Sequence, residues 1–251
     1  MPRFFIRQTQ IDNDKLTMVG DDAHHIARSL RMAVGDCVTV CDMQGREYNC
    51  RIDGFEEDRQ VLLSILSFKE PENEPPLKIR LFQALPKGDK LDTIIQKAVE
   101  CGVSEIIPFE SERCVVRVKP EAEARKTERR QRISEEAAKQ CGRSILPEVK
   151  PTVSFSDMLE MIKSDELCLF CYEGDGTEPL GAVLKRALGE KRKISVVIGS
   201  EGGFSLKEAQ LIRNSGAEAV GLGRRILRTE TASGFVLACL VYASELDGNA
   251  W

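Results

Sequence analysis

The sequence predicts a chain of two parts: a mostly β module over residues 1–72, then an α/β domain with an open parallel sheet over residues 73–251. Three observations carry this reading. The stretch Lys69-Glu70-Pro71-Glu72-Asn73-Glu74-Pro75-Pro76 sets prolines among charges, which makes an exposed connection between folded parts. Before it, short β-rich runs are separated by turn dipeptides. After it, apolar strand runs alternate with helical patterns, the rhythm of a parallel sheet with crossover helices.

In the first part, Asp21 or Asp22 can cap a short helix over 21–30. Strands fall at 37–40 and 61–66, and Gly35-Asp36, Gln44-Gly45 and Asp53-Gly54 are turn signals. A small β-barrel fits this pattern. In the second part, 79–84 is a strand, and Leu91, Ile94, Ile95, Ala98 and Val99 keep helical spacing until Gly102 stops them. A strand over 103–109 and a long helix over 121–141 follow, with Ile133, Ala137, Ala138 and Cys141 as its apolar stripe. Then come a helix near 156–163, a strand at 167–172, a helix over 180–188 and a strand at 194–198. Ser205-Leu206-Lys207-Glu208 is a capping box that opens a helix, and Gly216 closes it. A strand at 219–222 and an apolar helix over 231–246 complete the order.

The bulk numbers narrow the class. With 42% hydrophobic and 30% charged residues, the 251-residue chain is ordinary globular protein. No apolar run approaches the roughly 20 residues that span a bilayer, and the first residues lack a signal-peptide core. A cytoplasmic protein is expected. Nine cysteines without a secretory signal read as free thiols. Cys168-Leu169-Phe170-Cys171 has redox or zinc spacing, but it lies inside a strand run, where residues three apart face opposite ways. With His24 and His25 the sole histidines, no metal is expected. The net charge of −4 speaks against uniform coating by nucleic acid. Basic clusters at Arg28/Arg31, Arg125–Arg132, Lys191–Lys193 and Arg224–Arg228 instead suit a focused phosphate-binding surface.

The last third carries the chemistry. One strand run ends in Ile198-Gly199-Ser200-Glu201-Gly202-Gly203-Phe204, another in Leu222-Gly223-Arg224-Arg225-Ile226-Leu227-Arg228-Thr229-Glu230-Thr231-Ala232. In a parallel sheet, ligands bind beyond the strand C-termini, here at Tyr172, Ile198 and Leu222. Glycines there let a ligand reach the backbone. The first turn lacks both the spaced glycines of a dinucleotide loop and the lysine of a P-loop. It also sets Glu201 where a pyrophosphate would lie. A sulfonium cofactor with an amino-acid tail meets that electrostatic demand better than NAD or ATP.

At these residues the chain resembles the bacterial 16S ribosomal RNA uridine-N3 methyltransferase family of the SPOUT superfamily. The matching segments run end to end: Pro2-Arg3-Phe4-Phe5, His25-Ile26-Ala27-Arg28-Ser29-Leu30-Arg31, Lys87-Gly88-Asp89-Lys90, the segment 95–103, Ser111-Glu112-Arg113-Cys114, the segment 136–143 and both C-terminal motifs. Ile226-Leu227-Arg228-Thr229-Glu230-Thr231-Ala232 is the most specific. The family commonly has proline where Ser200 and Arg224 stand.

The resemblance implies a PUA-like RNA-binding barrel followed by a SPOUT-type α/β domain with a trefoil knot. It also implies a homodimer, S-adenosyl-L-methionine as cofactor, and 16S rRNA of the small subunit as partner. Cys171, Ile198, Gly199, Glu201, Gly202, Leu222, Gly223, Ile226, Leu227 and Thr231 are then expected at the cofactor. Arg3, Arg28, Arg31, Arg113 and Arg143 are expected at the RNA. Phe4 and Phe5 suit core packing better than base stacking. Methylating uracil N3 spreads negative charge onto the flanking carbonyls, and a fixed guanidinium stabilises it. Arg228 is the first candidate; Glu230 or solvent takes the proton, since arginine stays protonated. The alternative is a non-catalytic RNA-binding assembly factor, which an intact 226–232 motif disfavours.

Overall fold

The structure is a computed structural model and describes residues 1–43, 45–56 and 60–246; the turn residue Gln44 lies outside them. The chain divides into two compact units. One comprises Met1–Glu74 with Ala138–Leu146, the other Pro75–Ala137 with the chain from Pro147 onward.

The first unit is built on β1 (Arg3–Phe5), β2 (Ile11–Asp12), β3 (Lys15–Val19), β4 (Cys37–Cys41), β5 (Glu47–Glu56) and β6 (Gln60–Lys69). They pair in the order β1-β4-β5-β6-β3-β2, with β1 and β4 parallel and the other pairs antiparallel. Alternate residues of each strand point inward. Phe4 and Ile6, Leu16 and Met18, Val38 and Val40, and Val61 and Leu63 share one buried core, so strands from the whole order curl around it. Phe4 is 1% exposed and Phe5 8% exposed, which makes both packing residues. The expected helix over 21–30 is instead α1 (Gly20–His24) running into a π turn over His25–Ser29. No side chain caps it; Asp22 instead binds Lys139 Nζ at 2.8 Å.

The segment 138–146 is fastened to this unit by charge. The Glu74 carboxylate accepts from Arg143 Nε and from the amides of Ser144 and Ile145 at 2.7–3.0 Å. Arg3 donates to Glu47 at 2.9 Å and to Ser144 Oγ at 3.1 Å, and Ser144 Oγ also donates to Glu47.

The second unit holds an all-parallel sheet. Its strands are β7 (Lys78–Ala84), β8 (Val103–Glu110), β9 (Glu148–Val149), β10 (Val153–Ser154), β11 (Leu167–Cys171), β12 (Glu178–Pro179), β13 (Lys193–Ile198) and β14 (Glu218–Gly221). Their order is β10-β8-β7-β13-β11-β14-β12, with β9 beside β8. Parallel strands need crossovers. These are α2 (Lys90–Glu100), α3 (Pro120–Cys141), α4 (Phe155–Ile162), α5 (Leu180–Ala187) and α6 (Leu206–Asn214), and α7 (Thr229–Val241) follows the last long strand. Both faces of the central strands are covered, so β13 buries Ile194, Val196, Val197 and Ile198 in succession. The Ser205 capping box of α6 forms as expected. On α3 the stripe is narrower than expected: Ala137 and Ala138 are buried, Ile133 is half-buried and Cys141 exposed. No described helix is long and apolar enough to cross a membrane.

Candidate functional site

The strand order decides where the site lies. β11 is flanked by β13 and β14, and all three run in the same direction. Their C-terminal ends therefore sit side by side, which brings Cys171, Ile198 and Leu222 to one rim. A cleft of about 770 Å³ opens there. Its walls are the loop 171–174 with Thr177, the first glycine turn 198–204, and the second segment 221–229. Cys171, Ile198, Gly199, Glu201, Gly202, Leu222, Gly223, Ile226, Leu227, Arg113 and Arg228 all line it.

Each wall has a local cause. Gly203 at φ +63 and Gly223 at φ +106 use left-handed backbone, and each has open space where a Cβ would project. Gly202 is crowded instead: a Cβ there would lie 3.0 Å from Arg113 Cβ and 3.2 Å from Arg113 O, and Arg113 would have to shift. Arg113 in turn donates to Gly202 O at 3.0 Å. Behind the turns, Gln83 and Thr229 are buried. Thr229 Oγ1 accepts from Gln83 Nε2 at 2.9 Å and donates to Gly199 O at 2.7 Å. This knot of hydrogen bonds ties β7, the first turn and the start of α7 together. The third wall is held by Arg213, whose guanidinium lies 5.4 Å over the Tyr172 ring and donates to Asp175 O.

The electrostatics are uneven along the cleft. Glu201 accepts from Lys90 Nζ at 2.7 Å and from the Lys87 amide at 3.1 Å. Burial alone would raise its carboxyl, but these hydrogen bonds outweigh that and hold it below the usual range. The bond to Glu201 and the nearby Glu230 charge hold Lys90 above its usual value against a smaller burial effect. Burial pushes the Cys171 thiol up, with Cys168 and Cys239 adding to it, so the thiol itself is neutral. At the other end, Arg228 is exposed, and among the described residues its guanidinium makes no hydrogen bond or ion pair. Ile226 stands 81% exposed beside it.

Other expected site residues sit elsewhere. The last helix begins at Thr229 rather than 231 because Arg228 holds extended backbone and its carbonyl accepts from the amides of Thr231 and Ala232. That register turns Thr229 and Ala232 toward the cleft and leaves Thr231 exposed and outside its lining. Glu230 is outside the lining as well; its carboxylate lies 3.6 Å from Lys90 Nζ. In the first unit, Arg3 and Arg143 have side chains 13% and 6% exposed and are engaged by Glu47 and Glu74, which gives them structural work rather than free RNA contact. Arg28 and Arg31 are exposed, and Arg31 holds left-handed backbone at φ 52. Lys90, Gln83 and Thr229 are the residues the sequence reading missed.

Comparison with known proteins shows the family. The RNA methyltransferase domain family matches residues 73–241, and the RNA methyltransferase PUA domain family matches residues 20–65. Together they define the class, an RNA methyltransferase domain preceded by a PUA domain. The chain is 32% identical to ribosomal RNA small subunit methyltransferase E of Bacillus subtilis over 98% of both chains. It is 33% identical to the protein of that name from Synechocystis sp., over 94% of this chain and 76% of that one. The crystal structure of a ribosomal RNA small subunit methyltransferase E from Neisseria gonorrhoeae bound to S-adenosyl methionine superposes with a TM-score of 0.85 at 30% identity, covering 96% of this chain and 97% of that one. The protein belongs to the ribosomal RNA small subunit methyltransferase E family.

Proposed function

We propose that the protein transfers a methyl group from S-adenosyl-L-methionine to N3 of a uridine in 16S ribosomal RNA of the small subunit. One observation carries the reading: two glycine turns, a fixed carboxylate and a free arginine converge on one cleft at the ends of adjacent parallel strands. The cleft fits the cofactor. Gly203 and Gly223 leave their backbone open to a ligand, and the Ser200 hydroxyl is buried among the described residues without a hydrogen-bond partner. The backbone at Ile198–Gly199, Leu222–Gly223 and Ile226–Leu227 would hold the adenosyl part. When bound, the cofactor supplies a methyl group activated by a sulfonium.

The chain's own residues act on the uracil. As N3 loses its proton, charge grows on the two flanking carbonyl oxygens. Arg228 stands free at the cleft and stabilises that charge without having to leave another partner. Glu230 is outside the cleft lining and turned to Lys90, so the proton goes to water. Arg113, at the first turn, and Arg28 and Arg31, in the PUA-like unit, hold RNA phosphates. The trefoil knot, the boundary near residue 73, action in the cytoplasm and a homodimer belong to the same reading. The dimer is supported by a groove of about 850 Å³ lined by Leu180, Leu184, Leu188, Phe235 and Tyr242, with Phe235 43% and Tyr242 57% exposed. Sedimentation of wild type and Phe235→Asp tests it: dimer and monomer are expected, and a wild-type monomer refutes it. A thermal-shift panel tests the cofactor. Stabilisation by S-adenosylmethionine and not by NAD or ATP is expected; the reverse overturns the assignment.

A further inference from the structure

Lys90 lies outside the motifs that carry the reaction, yet it occupies the point where three chain segments meet. It is the first residue of α2, directly after the loop that leaves β7. Its ammonium bonds Glu201 of the first glycine turn at 2.7 Å and pairs with Glu230 of α7 at 3.6 Å. Glu201 is further tied to the same loop by the Lys87 amide. Glu230 follows Arg228 by two residues, and its Oε2 is buried without a hydrogen-bond partner among the described residues. Lys90 itself lines the cleft.

We propose that Lys90 is a positioning residue that couples the two halves of the cleft, holding the first glycine turn through Glu201 and the Arg228 segment through Glu230. The physical reason is charge. Without the ammonium, two carboxylates face one site with no cation between them, and like charges there repel. Glu201 then swings away from the turn, or Glu230 draws the start of α7 out of place. Hydrogen bonding by Glu201 raises the Lys90 affinity for its proton, so the bridge stays charged at neutral pH and is not a proton acceptor. The consequence for the cofactor rests on the methyltransferase reading above. The coupling itself does not.

The variants Lys90→Ala, Lys90→Arg and Lys90→Ala/Glu230→Gln separate the two ideas. Hydrogen-exchange mass spectrometry on the ligand-free protein reads the coupling. Lys90→Ala is expected to speed exchange in 199–204 and in 226–231 together, leaving 103–109 unchanged. Removing the Glu230 charge in the same chain is expected to slow both segments again, and Lys90→Arg to keep them protected. A purely structural lysine would not be rescued by neutralising Glu230. Unchanged exchange in either segment, or no relief in the double variant, overturns the proposal. Titration with S-adenosylhomocysteine reads the cofactor. Wild type is expected to bind, Lys90→Ala about tenfold more weakly, and the double variant closer to wild type. Wild-type protein that does not bind removes the cofactor assignment, while the exchange data still decide the coupling. A single variant that binds as tightly as wild type while exchange rises removes the link from Lys90 to cofactor affinity and overturns that part.

Discussion

Thr229→Val is the most informative change to the scaffold of the cleft. Valine keeps the shape of threonine and removes its hydroxyl. Thr229 is 6% and Gln83 0% exposed, so Gln83 cannot turn to water. Two hydrogen bonds disappear, one from Gln83 Nε2 at 2.9 Å and one to Gly199 O at 2.7 Å. Gln83 Nε2 still reaches Ala84 O at 2.9 Å, so the damage falls mainly on the Gly199 carbonyl, left with Gln83 at 3.4 Å. With about 1 kcal/mol for the bond to Gly199 and about 1–3 kcal/mol for its carbonyl left poorly satisfied, the cost is about 2–4 kcal/mol. For a domain of this size that lowers Tm by about 4–16 °C. Urea unfolding measures the same cost as a shift in midpoint with no change in slope. Because Gly199 belongs to the first turn, S-adenosylhomocysteine affinity falls with it. The double variant Gln83→Leu/Thr229→Val is expected to cost less than the sum of its parts, since both side chains serve one network. A Thr229→Val protein within about 0.5 kcal/mol of wild type, the range of ordinary surface changes, would refute this account of how the turns are joined.

Other predictions address the remaining walls and the first unit. Arg228→Ala is expected to lower kcat about 100- to 1,000-fold while S-adenosylhomocysteine affinity and Tm hold, as steady-state kinetics and calorimetry will show. Gly174→Ala places a Cβ against the Tyr172 ring edge, which must displace a ring stacked on Phe170 at 5.1 Å; a stability loss of about 1–3 kcal/mol is expected in urea unfolding. Arg3→Met leaves Glu47, 3% exposed, without its cation and is expected to cost about 3–5 kcal/mol in thermal unfolding of the first unit. Burial would raise the Glu47 carboxyl, but bonds from Arg3 and Ser144 hold it below its ordinary 4.5. Its contribution is therefore complete above pH 4.5 and is lost as pH falls through the lowered value. Acid titration of stability is expected to show this limb in wild type and not in Glu47→Gln.

Much of this was legible along the chain because it is local. Strand runs ending in glycine, the capping box at Ser205 and the proline-rich stretch at 69–76 each announce themselves within a few residues. The convergence of the two glycine turns follows from parallel pairing, and the sequence rhythm already implies that. Register was harder. The resemblance sets Thr231 at the cofactor, whereas α7 starts at Thr229, so Thr229 lines the cleft and Thr231 does not. Lys90 and Gln83 escaped because their partners lie 111 and 146 residues away, beyond any local pattern. The signal nearest to Lys90 was Lys87-Gly88-Asp89-Lys90, a charged glycine turn directly after the strand that abuts β13. Arg3 and Arg143 looked like phosphate ligands because a sequence shows the arginine and hides the carboxylate that meets it.

The central claim is that the cleft at the ends of β11, β13 and β14 methylates N3 of a uridine in 16S rRNA. Nucleoside mass spectrometry of 16S rRNA from cells lacking this protein, and from the same cells given wild type or Arg228→Ala, tests it most directly. N3-methyluridine is expected to be missing, restored by wild type and not restored by the variant. Unchanged N3-methyluridine in the deletion strain would contradict the account.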